Sequence, residues 1–199
     1  IPRMTTADPR QRTTLSDRDA RRAAAVKHFQ QHPEDYVEKV IGVKPDPLQV
    51  PILQACAKPR ARVCIVGANG VGKDSISAWI TEWFLYCFAT NDDPAVVPTT
   101  SASGRQVGLL WHEINFWTGG SRVSKAFDLL QRKMSLKPTL EDPKLKESYA
   151  EGFKAANEKV MEGYHASKMF YILTEARGME DWGYNAMYKA SSEYDNRIL

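Results

Sequence analysis

Arg62-Val-Cys-Ile-Val66 runs directly into Gly67-Ala-Asn-Gly-Val-Gly72-Lys73-Asp74, and a long apolar stretch follows from Ser75. The spacing is G-x-x-x-x-G-K, with Asp74 where Ser or Thr usually stands, set between an expected strand and an expected helix. Glycines let the backbone turn so that several N–H groups face one anion. The helix that follows directs its positive N-terminal end at the same point. Lys73 adds a compact cation for the β and γ phosphates. A plain strand–turn–helix corner accounts for the glycines but not for Gly-Lys at the helix start. We therefore read Gly67, Ala68, Asn69, Gly70, Val71, Gly72, Lys73, Asp74 and Ser75 as a nucleotide phosphate loop.

Outward from the loop, the pattern alternates between periods. Lys73 to Ala89 has Ile76, Ile80, Phe84 and Cys87 on one helical face. Ala95-Val96-Val97 reads as a second strand, and Pro98-Thr99-Thr100-Ser101 as a loop. Gly104 to Trp117 reads as a helix with Val107, Leu110, Trp111 and Ile114 inward. Residues 121–165 are mixed, with a short strand expected within Glu147 to Ala155. Phe170-Tyr-Ile-Leu173 is a third apolar strand, and Trp182 to Glu193 a helix. On the N-terminal side, Arg18 to Gln31 and Asp35 to Ile41 are expected helices, the second closed by Gly42. Asp46 caps a further helix with Pro47 at its first position, and Leu48, Ile52, Leu53 and Cys56 recur at helical spacing. Strands alternating with helices argue for an α/β fold with a mostly parallel central sheet flanked by helices.

The strand at 170–173 ends in Thr174-Glu175. In such ATPases an apolar strand ending in Asp-Glu serves chemistry: the Asp helps to hold Mg²⁺ and the Glu activates the attacking water. Glu175 is thus the candidate general base, with Lys73 beside it in the catalytic set. The metal positions Asp74 and Thr174 are both changed, in opposite senses. A reciprocal swap keeps one carboxylate and one hydroxyl beside the ion. Decay of both positions, with hydrolysis lost, is the alternative. Ser75 offers a further hydroxyl.

Composition sets bounds. In 199 residues, 43% are hydrophobic and 26% charged, as in ordinary globular proteins, which excludes collagen-like and fully disordered classes. No apolar run approaches the ~20 residues of a membrane-spanning helix, and no signal peptide opens the sequence. The net charge of +3 is too mild to argue for nucleic acid. Residues 1–30, however, carry seven basic against three acidic side chains. That arm reads either as a solvated tail or as a phosphate-contacting one. Cys56, Cys64 and Cys87 form no CxxC pair and are expected as buried free thiols. His28 and His32 lack the acidic partner of a metal helix. Trp111, Phe116, Trp117 and Trp182 fit core packing better than stacking on bases.

The order of motifs resembles the ATPase domain of the large terminase subunit of tailed bacteriophages. It runs through Asp46-Pro-Leu-Gln49, the loop at 67–74, Val97-Pro98-Thr99-Thr100, Arg105-Gln106-Val107 and Trp111-His-Glu113. Glu151-Gly152-Phe153, Gly163-Tyr164-His165-Ala166 and Leu173-Thr-Glu-Ala176-Arg-Gly178 complete it. The resemblance covers about 36–199. It implies a P-loop NTPase of the RecA-like ASCE type, preceded by a short basic tail and helix at 1–34. It implies ATP and Mg²⁺ as cofactors, and a motor that drives double-stranded DNA into a procapsid. The implied partners are the portal protein, the small terminase subunit and further copies of the chain in a ring, in the bacterial host cytoplasm with no membrane. By position, Gln49 reads adenine, and Thr99 and Thr100 fall where nucleotide state is coupled to movement. The loop lacks the Arg that some members carry, so Arg105 and Arg122 become candidate fingers. The family's nuclease carboxylates are not in this sequence. With Ile1 at one end and a strand entrance, Asn196-Arg197-Ile198-Leu199, at the other, the ATPase domain at 35–199 is expected to be a piece of a longer protein. A nucleotide-binding fragment with little turnover and a helicase-like ATPase remain as alternative readings.

Overall fold

The apolar run Ala95-Val96-Val97 does not stop at Pro98. In the computed structural model, which describes residues 9–68, 70–139, 142–154, 158–164, 166–191 and 196–199, strand β1 spans Ala95–Ser101 and all seven residues are buried. Its polar half survives burial because the side chains bond across the sheet. The Thr99 hydroxyl donates to the Glu151 carbonyl (3.2 Å) and that of Thr100 to the Phe153 carbonyl (2.8 Å). Pairing with the strand on its other side runs through 95/168, 96/169, 99/172 and 100/173. The positions left out between these pairs are Val97 and Pro98, and Pro98 has no N–H to give. The expected loop at 98–101 is therefore strand.

Six strands form the sheet. After β1 come β2 (Phe127–Leu129), β3 (Lys133–Leu136), β4 (Tyr149–Lys154), β5 (Lys168–Leu173) and β6 (Arg197–Ile198). The spatial order is β2-β3-β4-β1-β5-β6. The four strands from β4 to β6 are mutually parallel, and β2 and β3 form an antiparallel hairpin at one edge. The segment expected as a strand at 62–66 pairs only where it starts. Arg62 bridges Ile198 in parallel, the Val63 N–H donates to the Ile198 carbonyl (3.0 Å), and the Ile198 N–H to that of Ala61 (2.9 Å). Beyond it Cys64 and Val66 are exposed. Cys64 is thus not the buried thiol expected, whereas Cys56 and Cys87 are buried and their thiol pKa values are pushed up by desolvation, to about 12 for Cys56.

Helices cover both faces. They are α1 (Pro9–Gln31), α2 (Pro33–Tyr36), α3 (Val50–Ala57), α4 (Lys73–Phe88), α5 (Gly104–Gly120), α6 (Glu158–Glu162) and α7 (Asp181–Ala190). Helix α1 begins nine residues before the expected Arg18, at Pro9, whose missing N–H costs nothing in the first turn. A π-helical turn, Val37–Ile41, follows α2 and ends on Gly42 in the left-handed conformation (φ 88°). Helix α4 is buried on nearly every side, as a helix apolar all round must be. The Trp83 indole N–H reaches the Phe29 carbonyl of α1 (2.6 Å). Along β5, Phe170 and Ile172 join the main core with α4 and α5, while Met169 and Tyr171 join a second, methionine-rich core under α6 and α7. That alternation is the period-two pattern of a strand covered on both faces. Leu53 and Cys56 of α3 face the core as expected, but Leu48 is 81% exposed. His28 stacks on His32, with ring centroids 4.6 Å apart, and the Asp35 carboxylate lies 2.6 Å from His28 Nε2. No described helix is long and apolar enough to cross a membrane.

Candidate nucleotide site

The phosphate loop joins the 62–66 segment to α4. Gly70 and Gly72 both sit at φ 81°, a region that only glycine enters without strain. Gly72 has a second constraint. A Cβ there would lie 2.7 Å from Nε2 of Gln49, so the glutamine amide rests directly on the loop. Gln49 is held in turn: its Oε1 accepts the Asp46 N–H (2.9 Å), and the Asp46 carboxylate accepts the Leu48 N–H (2.8 Å). Asp46 therefore organises the turn into α3 but is not its cap: the first helical residue is Val50 rather than Pro47, and Gln49 stands at the N-cap. Lys73 Nζ donates to the carbonyls of Gly67 (3.0 Å) and Ala68 (2.9 Å), which closes the loop on itself. Asn69 lies outside the described residues.

Two adjoining hollows meet at Gly70, Gly72 and Lys73. The larger, about 700 Å³, lies between α3 and the loop and is lined by Gln49, Ile52, Ile65 and Gly67. Around it Leu48, Val66 and Val71 are 81%, 93% and 51% exposed. Exposed aliphatic side chains gathered at a concave surface suit a flat apolar ring with a polar edge. The smaller, about 380 Å³, is lined by Lys73, Asp74, Ser75, Glu113 and Glu175. Burial raises the Asp74 carboxyl pKa, the charges of Glu113 and Glu175 add to that, and Lys73 opposes it.

Glu175 follows β5 with φ 50° and ψ 47°, left-handed although it is not glycine. Such strain costs about 1 kcal/mol and gathers at functional positions. Thr174 is fixed by its backbone N–H to the Thr100 carbonyl (3.0 Å). Its hydroxyl is buried with no hydrogen-bond partner among the described residues. The candidate donors Asp74, Ser75 and Thr174 are all oxygen, which fits a hard cation such as Mg²⁺, and of the three Asp74 and Ser75 line the smaller hollow while Thr174 does not. Among the described residues no three acidic or ligating side chains close a metal cage. Mg²⁺ typically takes one or two carboxylates and completes its shell with waters and phosphate oxygens.

The structure brings Gln49, the described loop residues and Glu175 to one place. Arg105 and Arg122 are exposed and line neither hollow. Of the aromatic residues, Trp111 is buried against Gly152, where a Cβ would meet its indole at 2.0 Å, and its N–H donates to the Thr99 hydroxyl (2.8 Å). Tyr164 stacks on Phe153 (4.9 Å, 25°), and His165 lies outside the described residues. Glu113 stands in the Trp111-His-Glu113 stretch, and its spacing alone assigns it no role. Its signal was its place beside the inward positions Leu110 and Ile114 rather than on the outer face of α5.

No protein-family model matches the chain, and no curated protein matches it. Solved structures do. The chain superposes on the large terminase of bacteriophage HK97 with a TM-score of 0.64 and 16% identity, over 85% of this chain. It superposes on a mutant ATPase domain of the Thermus phage P74-26 large terminase with a TM-score of 0.53 and 16% identity, over 84% of this chain and 69% of that one. The chain spans 36% of the HK97 protein. At this identity the likeness is one of fold, an α/β sheet flanked by helices, which in this chain has six strands among the described residues.

Proposed function

We propose that this chain is the ATP-hydrolysing motor domain of a viral DNA-packaging terminase, driving double-stranded DNA into a procapsid. The observation that carries the reading is the meeting of Lys73, Asp74 and Glu175 in one cleft, with Gln49 seated on the same loop, in a terminase-like fold. The Gln49 amide can donate to and accept from the adenine edge. The loop N–H groups and the start of α4 receive the phosphates. Lys73 leaves the Gly67 and Ala68 carbonyls for the β and γ oxygens. Glu175 accepts the proton of the attacking water. Mg²⁺, when bound, neutralises the phosphate charge, with Asp74 and the hydroxyls of Ser75 and Thr174 as its candidate protein ligands. The portal protein, the small terminase subunit and a ring of identical copies are the partners this reading carries, in the bacterial cytoplasm.

A second reading, nucleotide binding with little turnover, draws on Thr174, which leaves the strand end without its usual carboxylate. One assay separates the two. ATP turnover by the protein is measured with and without duplex DNA, in the parent, Lys73→Ala and Glu175→Gln. We expect DNA-stimulated turnover that falls at least 100-fold in both variants, with ATP binding kept in Glu175→Gln. Binding without turnover in the parent favours the second reading. Turnover unchanged by Glu175→Gln sinks the first.

A further inference from the structure

Glu113 sits in the middle of α5, and its Oε2 accepts two hydrogen bonds from two helices. One is from the Ser75 hydroxyl in the first turn of α4 (3.2 Å), the other from the Trp117 indole N–H one turn along α5 (3.0 Å). Around this point the α4–α5 contact is aromatic, with Trp79 edge-on to Trp117 at 5.5 Å. A tie between the helices needs an acceptor but not a charge, because a glutamine carbonyl would accept both bonds. Yet the residue is a carboxylate, and it lines the cleft that already holds Asp74 and Glu175 with a single lysine. Even a swap of carboxylate and hydroxyl between positions 74 and 174 leaves Glu113 as one negative charge more. Three carboxylates facing one ammonium repel an added polyanion unless a cation accompanies it.

Resting on the nucleotide reading above, we propose that Glu113 is a specificity-determining residue that makes this cleft select the magnesium complex of ATP over the free tetra-anion. Its charge acts across the cleft on phosphate that arrives without a metal. Its carboxylate accepts the hydrogen bond that the Ser75 hydroxyl donates, which leaves the lone pairs of that hydroxyl for the cation side.

The test measures binding rather than turnover. A fluorescent ATP analogue is titrated into the parent, Glu113→Gln and Glu113→Asp, in EDTA and over a magnesium series. The parent should bind at least tenfold more weakly in EDTA. Glu113→Gln keeps both hydrogen bonds, so it should fold. It should bind the metal-free analogue up to about tenfold more tightly than the parent, the effect of roughly one pKa unit of charge interaction. Its magnesium midpoint should rise. Glu113→Asp keeps the charge on a shorter arm and should retain the parent's metal dependence. If Glu113→Gln leaves both readouts unmoved, Glu113 is a helix tie and the inference is overturned while the nucleotide reading stands. If the parent binds no analogue in either condition, the nucleotide reading fails and this inference with it.

Discussion

Glu175 combines backbone strain with the proposed role of general base. Its left-handed backbone (φ 50°) is one that asparagine adopts more readily than glutamate, and its charge opposes Asp74 across the cleft. Glu175→Asn should therefore raise stability by about 1 kcal/mol, or a melting temperature gain of roughly 2–4 °C, while turnover is lost. Differential scanning calorimetry beside an ATPase assay checks it, and a lower melting temperature would refute the strain argument. Residues of this kind were only half legible in the sequence. Lys73 and Glu175 stand in spacings that the proposed chemistry requires, and the structure places both on one hollow. Gln49 came from motif order, but nothing in the linear pattern shows its amide resting on Gly72. Glu113 was hidden because a glutamate on a helix is usually a solvated one, and its partners Ser75 and Trp117 are 38 and 4 positions away.

Among the elements, α2, α4 and α5 meet around a carboxyl with no route to water. Glu82 is fully buried, accepts the Tyr36 hydroxyl (2.9 Å), and has the hydroxyls of Thr118 and Ser121 beside it. Desolvation nonetheless pushes its pKa up to about 7, from an ordinary 4.5. The folded protein thus holds the proton more tightly than the unfolded chain does. The stability it contributes is complete below pH 4.5 and is lost as pH rises to about 7, by on the order of 3 kcal/mol. Urea unfolding at pH 5 and pH 8 should show the parent losing stability that Glu82→Gln does not lose; equal slopes in the two proteins would remove Glu82 as the cause. The same scale shows where pattern reading succeeds and fails. Helices α4 and α5 and strand β5 were legible because long apolar periodicity leaves few alternatives. Strand β1 was cut short at Pro98-Thr99-Thr100 because turn-rich residues look like a loop until neighbouring carbonyls accept their hydroxyls. The β2–β3 hairpin was missed because its strands are three and four residues long, too short for a period to register.

For the molecule as a whole, alternation of strands and helices gave the α/β class, and the superpositions on two phage terminases agree with it. The antiparallel hairpin added to the parallel core was not written in that alternation, because it depends on which edge stays open. One long-range closure has a further consequence. Among the described residues, 61–63, which lead into the phosphate loop, join the sheet through residues 196–199, and Arg62 reaches the Asn196 carbonyl (2.6 Å) across 134 positions. Contacts so far apart in sequence form late, after the entropy of a long loop has been overcome. On the ribosome, where earlier segments emerge first, the phosphate loop is synthesised long before its support exists. Under the proposed function, ATP affinity then waits on residues 196–199, and the amides of Val63 and Ile198 should open to solvent together. Hydrogen exchange should give the two one shared protection free energy; independent exchange would show that the loop has a scaffold of its own.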